Sequence, residues 1–229
     1  MKKLKFYEER KLLAKVGAMM LQRNLTDLAG GNISMRVDDK IIMSPTYAGT
    51  MQFWQLEPEQ VLILDLAGNK LEGDGDISRE STTHLRLLNS FYPRGKAVIH
   101  AHPRNILVFC TAEKPIPPVL ESTLKFGEIK VAQFANGGSH CEQLAENIHS
   151  ELRGQEHLME KQAAIVIAPW HGVFAIGQDL RKVLDAIDRI ESNAYCILMS
   201  KLLVDPVEMD AHRIALRRAT QESSGKSNE

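Results

Sequence analysis

Cysteine is scarce in this chain of 229 residues: Cys110, Cys141 and Cys196 stand far apart, and their number is odd. That excludes a disulfide framework. With no Cys-x-x-Cys pair, thiolate zinc sites and thioredoxin-like chemistry are excluded as well. No charge of one sign dominates: 28 Lys and Arg are interspersed with 29 Asp and Glu, so neither nucleic acid nor an anionic membrane is an expected partner. No apolar run approaches membrane-spanning length. The basic start Met1-Lys2-Lys3-Leu4-Lys5 has no apolar segment behind it that would suit a secretory leader. Internal repeats are absent too. The expectation is a cytoplasmic, single-domain protein of a reducing compartment, long enough for a sizeable core.

Periodicity places the elements. Leu12, Leu13, Val16, Met19 and Met20 recur at helical spacing over residues 7 to about 23. Gly30 and Gly31 permit a tight or left-handed backbone. Residues 32–37 then alternate as a strand, Asp38-Asp39-Lys40 turns, and Ile41-Ile42-Met43 returns. Residues 44–50 form a hydroxyl-rich loop. Residues 61–66 predict another strand, and Ser78 suits the N-cap of a helix reaching about Tyr92. Pro103 can open a further helix to about Cys110, because a first turn does not need its missing N–H. Pro115-Ile116-Pro117-Pro118 forces an extended connection, and residues 119–131 carry no decisive pattern. Gly137-Gly138-Ser139 leads into a helix from about Cys141 to Leu152. Residues 163–168 read as a buried strand, 173–177 as its return, and 179–203 as a long amphipathic helix. A shorter basic helix ends near Ala219, and the polar tail 221–229 is expected to be disordered. Helices alternating irregularly with hairpin-like strand pairs predict an α/β class, with a central mostly antiparallel or mixed sheet flanked by helices.

The chemistry-bearing stretch is Lys96-Ala97-Val98-Ile99-His100-Ala101-His102-Pro103. Side chains alternate on a strand, so His100 and His102 point the same way at its exit, where two imidazoles can hold one metal ion. Such a pair alone is as readily a chance surface or core feature. Its company gives it meaning: Glu80 lies upstream, and His171 stands in a Trp-His-Gly turn downstream. Three neutral imidazoles with one open or carboxylate-filled position make a catalytic zinc site. Histidine favours zinc, or another divalent metal such as Mn2+ or Co2+, over magnesium and calcium. Other His-x-His architectures fail on their neighbours. A metallo-β-lactamase-type enzyme would continue to an Asp-His pair, whereas His102 is followed by Pro103-Arg104-Asn105. A cupin would place a glutamate a few residues on, and an amidohydrolase would carry its pair near the N-terminus.

Five motifs in order, Gly30-Gly31-Asn32-Ile33-Ser34, Ser44-Pro45-Thr46, Ser78-Arg79-Glu80, His100-Ala101-His102-Pro103 and His171-Gly172-Val173, give a chain that resembles the class II aldolase/adducin-domain family over roughly residues 7 to 205. That family comprises L-fuculose-phosphate and rhamnulose-phosphate aldolases, L-ribulose-phosphate 4-epimerase, methylthioribulose-phosphate dehydratase, some decarboxylases and non-catalytic adducin heads. The resemblance implies a catalytic domain over 1–205, with a C-terminal helix and tail over 206–229. It implies His100, His102 and His171 as zinc ligands and Glu80 as the catalytic acid/base. Gly31, Asn32, Thr46 and Ser78 would surround the phosphate of a small phosphorylated sugar. It also implies a homotetramer with sites between subunits.

The chemistry asks for the same parts. Breaking a C–C bond beside a carbonyl leaves an enediolate, which needs a Lewis acid at its oxygens. A carboxylate whose pKa is raised by desolvation can move the proton. A phosphate supplies binding energy remote from the reacting bonds, and glycine-containing loops with hydroxyls can cradle it without a lysine. Plainer roles fit some of these residues. Asn32, Ser34 and Thr46 suit turn closure, Ser78 an N-cap, Glu80 a solvent-facing helix position and His171 a core histidine. His84, one helical turn after Glu80, reads as packed or surface-lying.

Two positions bear on the reaction. Related epimerases carry aspartate where Glu80 stands, so the glutamate favours an aldolase-like role. Glu121 lies where the sugar-phosphate aldolases place a catalytic tyrosine and the dehydratase branch a glutamate base, though an exposed acid at a loop-to-helix junction is the simpler account. The C-terminal tyrosine of the fuculose-phosphate enzyme has no counterpart in residues 211–229. The expected reaction is zinc-dependent cleavage of a short-chain, deoxy- or methylthio-substituted ketose 1-phosphate to dihydroxyacetone phosphate and an aldehyde, with Glu80 and Glu121 catalytic. Elimination of water, as in methylthioribulose-1-phosphate dehydratase, is the alternative. A sugar-acid phosphate decarboxylase and a non-catalytic adducin-like module follow.

Overall fold

The computed structural model describes residues 4–138 and 140–225. Its strands are β1 (Asn32–Val37), β2 (Lys40–Met43), β3 (Leu62–Asp65), β4 (Lys70–Glu72), β5 (Ala97–Ala101), β6 (Lys130–Val131), β7 (Ala164–Ala168) and β8 (Gly172–Gly177). Its helices are α1 (Tyr7–Gln22), α2 (Ala48–Gln52), α3 (Ser81–Ser90), α4 (Arg104–Ala112), α5 (Glu142–Leu152), α6 (Glu156–Lys161), α7 (Leu180–Ser200) and α8 (Pro206–Gly225). The strands form one sheet in the order β4-β3-β2-β1-β5-β8-β7-β6. All neighbours pair antiparallel except β6 and β7 at one edge. The mixed, mostly antiparallel sheet flanked by helices agrees with the class expected.

Strand alternation divides the interior into two cores. On β5, Ala97, Ile99 and Ala101 pack against one helical layer with Leu13, Val16, Ile106, Val183 and Ile187 from α1, α4 and α7. Val98 faces the other layer, with Leu87 and Leu88 of α3, Leu144 and Ile148 of α5, and Phe174 and Ile176 of β8. His100 shares the parity of Val98, so the pattern that buries the strand also carries an imidazole to the α3/α5 face. α7 starts where Asp179 accepts hydrogen bonds from the Arg181 and Lys182 N–H groups, an N-cap that the long amphipathic run required.

Several elements depart from expectation. Ser78 does not cap α3: the helix opens at Ser81 with Glu80 at the N-cap. The Ser78 hydroxyl oxygen instead accepts from the Glu80 N–H at 3.3 Å and from Asn32 Nδ2 at 3.1 Å, closing a turn ahead of the helix. The undecided stretch becomes a 3-10 segment, Glu121–Phe126, followed by β6. Its conformation is set from afar, since Asn193 Oδ1 on α7 accepts from the Val119 and Leu120 N–H groups and the Thr123 hydroxyl. β4, α2 and α6 were not anticipated. α8 continues to Gly225, so residues 221–225 are helical rather than disordered; residues 226–229, and Ser139 in the lead-in to α5, lie outside the described residues. Among the described residues, no helix is long and apolar enough to cross a membrane.

Candidate metal centre

Four segments meet at one end of the α3/α5 face. β1 opens with Asn32, which pairs with His100 across the ladder. β5 ends one residue before His102, the turn between β7 and β8 carries His171, and α3 is entered through Glu80. Trp170 takes the left-handed conformation (φ 55°) that lets this turn close. Asn32, Glu80, His100, His102 and His171 line a cavity of about 220 Å³ whose wall also includes Gly31, Thr46, Ser78 and Arg79.

A ring nitrogen from each of His100, His102 and His171 lies within 4.8 Å of the others. His100 Nδ1 is 3.0 Å from the Val173 carbonyl oxygen. A carbonyl only accepts, so Nδ1 carries the proton and Nε2 presents a lone pair. His102 Nδ1 faces Asp27 Oδ2 at 3.6 Å, which favours the same tautomer. The two Nε2 atoms stand 3.0 Å apart. Facing lone pairs at that distance repel unless a cation or a proton joins them. Burial pushes the pKa of both rings down, which disfavours the proton. His171 Nε2 lies 2.8 Å from Glu80 Oε1, yet it is not aligned to donate and has no hydrogen-bond partner. Three imidazole nitrogens gathered about one point fit a borderline divalent metal.

Glycine makes room for this cage. A Cβ on Gly30 would stand 2.0 Å from His102 Cε1. One on Gly172 would stand 2.6 Å from the Ala101 carbonyl oxygen and 2.7 Å from His102 Cδ2. Phe174 stacks near-parallel on His100, 4.2 Å between ring centres, and fixes the plane of the ring.

Glu80 is buried, with its Oε2 3.2 Å from His100 Nε2 and 3.2 Å from Asn32 Nδ2. Burial acts to raise its pKa, but the imidazoles of His100 and His171 and the Asn32 amide outweigh it and hold the carboxyl below the usual carboxylate range. This corrects the expectation of a desolvation-raised acid. As arranged, Glu80 is a carboxylate facing the point on which the imidazoles converge, where it can fill a fourth position.

The other expected residues divide. Gly31 (φ +89°), Thr46 and Ser78 line the cleft. Asn32 lines it too, but its amide group donates to Ser78 and Glu80, and its Oδ1 is buried without a partner. Its donors serve Glu80 rather than an incoming phosphate. Glu121 is not at the cleft of its own chain: it is exposed on the 3-10 segment packed near α7 and α8, away from the cavity wall. The anchoring of that segment by Asn193 puts it there.

Three residues at the site were not foreseen in any role. Asp27 Oδ1 accepts from the Ala29 and Gly30 N–H groups at 2.9 and 2.7 Å, and so holds the glycine loop beside His102. An aspartate shortly before a glycine pair is a readable turn signal. His140 Nδ1 lies 3.7 Å from Glu80 Oε1; its position at the end of a glycine-rich lead-in was the only hint. Arg79 sits inside a recognised motif and also lines the wall.

Residues 11–198 match the family described as Class II Aldolase and Adducin N-terminal domain. The chain is 26% identical over 196 residues to a 3-oxo-tetronate 4-phosphate decarboxylase of Haemophilus influenzae, covering 81% of this chain and 85% of that protein. It is 27% identical over 192 residues to the L-fuculose phosphate aldolase of the same organism, covering 82% of each. A solved L-fuculose 1-phosphate aldolase superimposes with a TM-score of 0.76 at 20% identity, over 95% of this chain and 100% of that one.

Proposed function

Because the chain belongs to the class II aldolase and adducin N-terminal domain family, whose aldolases are metal-dependent enzymes, we propose that it is a cytoplasmic zinc-dependent aldolase. Its substrate is a short-chain ketose 1-phosphate, deoxy- or methylthio-substituted, cleaved to dihydroxyacetone phosphate and an aldehyde. The observation that carries this reading is the convergence of three imidazoles and one carboxylate in a cleft walled by Gly31, Thr46 and Ser78. His100, His102 and His171 would hold the zinc ion, which would supply Lewis-acid stabilisation for the negative charge that develops on the substrate's oxygen.

The chain's own groups do the rest. Val173 and Asp27 orient His100 and His102. Cleaving the C3–C4 bond takes a proton from the C4 hydroxyl and returns one to C3, and Glu80, the carboxylate lining this cleft, is the group that can accept the first proton and hand it on to C3. Gly31, Thr46 and Ser78 receive the phosphate. Glu121, exposed on its own chain, is assigned to a neighbouring subunit's cleft in a homotetramer.

The decarboxylase relative, matched over as much of this chain as the aldolase, favours one second reading. Loss of carbon dioxide from a 3-oxo sugar-acid phosphate leaves the same kind of carbanion beside a carbonyl. Mass analysis of products from the zinc-loaded protein, given a panel of ketose 1-phosphates and 3-oxo-acid phosphates, separates these outcomes. Dihydroxyacetone phosphate with an aldehyde is expected. A Glu80→Gln protein that binds zinc and keeps full turnover overturns the role of Glu80. Absence of stoichiometric metal after metal-replete purification overturns the enzymatic reading in favour of an adducin-like module.

A further inference from the structure

We propose that a second cavity, apart from the metal centre, binds a carboxylate with a short alkyl body, an effector that fastens α8 to the rest of the chain. The inference goes beyond the reaction proposed above and does not depend on it. The cavity measures about 150 Å³ and lies where the end of α7 and the first turns of α8 face the connection through Pro117. It shares no wall residue with the metal cavity. Pro117, Val119, Ile197, Val204 and Met209 supply apolar walls, and each is only partly buried, so the chain itself leaves this surface uncovered. A space of ~150 Å³ between apolar side chains holds a body of about six carbon atoms.

The polar part of the wall sets the ligand's charge. Arg213 of α8 donates from Nη2 to Asp210 Oδ1 at 3.2 Å, but its Nε is buried without a hydrogen-bond partner. Lys201, just past the end of α7, brings an ammonium that no ion pair to another described residue holds. The Ser200 hydroxyl is already spent on the Ile197 carbonyl oxygen at 3.4 Å. Asp210 also lines the cavity and opposes an anion, yet its charge is met by Arg213 and its side chain is 67% exposed to water. Two cations and one carboxylate leave a single positive charge on the wall, with donors at Arg213 Nε and Lys201 Nζ still to be used. A carboxylate matches that charge and accepts from both groups. Its alkyl body covers the apolar walls, which a phosphate dianion cannot do. Because the walls come from α8 on one side and from α7 and the Pro117 connection on the other, the bound molecule joins them.

3-Methylbutanoate is the probe, titrated calorimetrically into the full-length protein, with 3-methylbutan-1-ol, acetate and inorganic phosphate as comparisons. Saturable binding of one 3-methylbutanoate per chain is expected. It should be at least about tenfold tighter than binding of the alcohol, which lacks the charge, or of acetate, which lacks the body. Arg213→Gln should weaken it about tenfold or more, the value of one charge-assisted contact. Lys201→Gln, at an exposed position outside both helices, should weaken it several-fold and so tests the charge without altering α8. Val119→Phe fills the cavity from the side opposite α8 and should abolish binding. Amide hydrogen exchange over residues 206–225 should slow when 3-methylbutanoate is added to wild type, and should not respond in Val119→Phe. No saturable binding, which would mean a cavity holding water only, overturns the proposal. So does equal affinity for the alcohol or for phosphate, unchanged affinity in Lys201→Gln and Val119→Phe, or exchange in α8 that ignores the ligand.

Discussion

Arg10 and His100 are both fully buried polar residues, and their surroundings are completed in opposite ways. The Arg10 guanidinium donates to the carbonyl oxygens of Lys5, Pro58 and Val61 and to Glu72 Oε2, at 2.7 to 3.2 Å. It ties α1 to the turn before β3 and to β4, and nothing in that cluster asks for a further partner. Around His100, Asn32 Oδ1 and His171 Nε2 have none, and two imidazole lone pairs face each other. Burial is the same in both places. What separates a structural polar cluster from a binding one is whether its hydrogen-bonding capacity is filled from within.

Substitutions should pull the two clusters apart. The largest effect is expected for His102→Ala, which removes one ligand from the incomplete cluster. Turnover should fall about a thousandfold or more, the loss of several kcal/mol of Lewis-acid assistance. Urea denaturation in the presence of a chelator should change by less than about 1 kcal/mol, because His102 is only partly buried. Arg10→Ala should do the reverse, costing about 3–4 kcal/mol of stability by stranding Glu72 and three carbonyls, while zinc content stays stoichiometric by elemental analysis. A stable Arg10→Ala protein, or a His102→Ala protein that unfolds, would collapse the distinction.

His84 tests the middle ground. Its Nδ1 meets Ser34 Oγ at 2.6 Å, but its Nε2 is buried without a partner. Burial holds its pKa down to about 4, against 6.5 when the chain is unfolded, with Glu80 opposing the shift. The unfolded chain therefore takes up this proton first as pH falls. The ring has no effect on stability above about 6.5, weighs progressively against the fold between 6.5 and 4, and costs a constant amount below that. The full loss is up to about 3 kcal/mol. The pH dependence of the denaturation midpoint should flatten over this window in His84→Gln; an unchanged slope would mean that the ring is solvated in the fold.

Much of this was readable along the chain because it rests on local alternation. The parity of Val98 and His100, the return of Ile41–Met43, the long helix from about Asp179 and the glycine loop before Asn32 all follow from neighbours in sequence. What escaped depends on distant partners. The course of residues 119–126, and with it the placement of Glu121, is set by Asn193 on α7. Ser78 was read as a cap because its neighbours suit one, yet Asn32 claims its hydroxyl from across the fold. Asn32 likewise belongs with Glu80, a pairing that no local pattern encodes. α8 was read short because a polar, weakly apolar segment resembles disorder, although its alanines, arginines and glutamates sustain a helix.

The hydrogen on Gly30 that stands where a Cβ would meet His102 bears on how such chains diverge. A descendant that drifts to alanine there keeps all three histidines and every motif by which it would be recognised, and still has no room for His102 where it stands beside His100. Loss of the chemistry can thus precede any loss of the ligand signature. A lineage that has retired from catalysis is better told by the side chain that has appeared at Gly30 or Gly172 than by a census of its histidines.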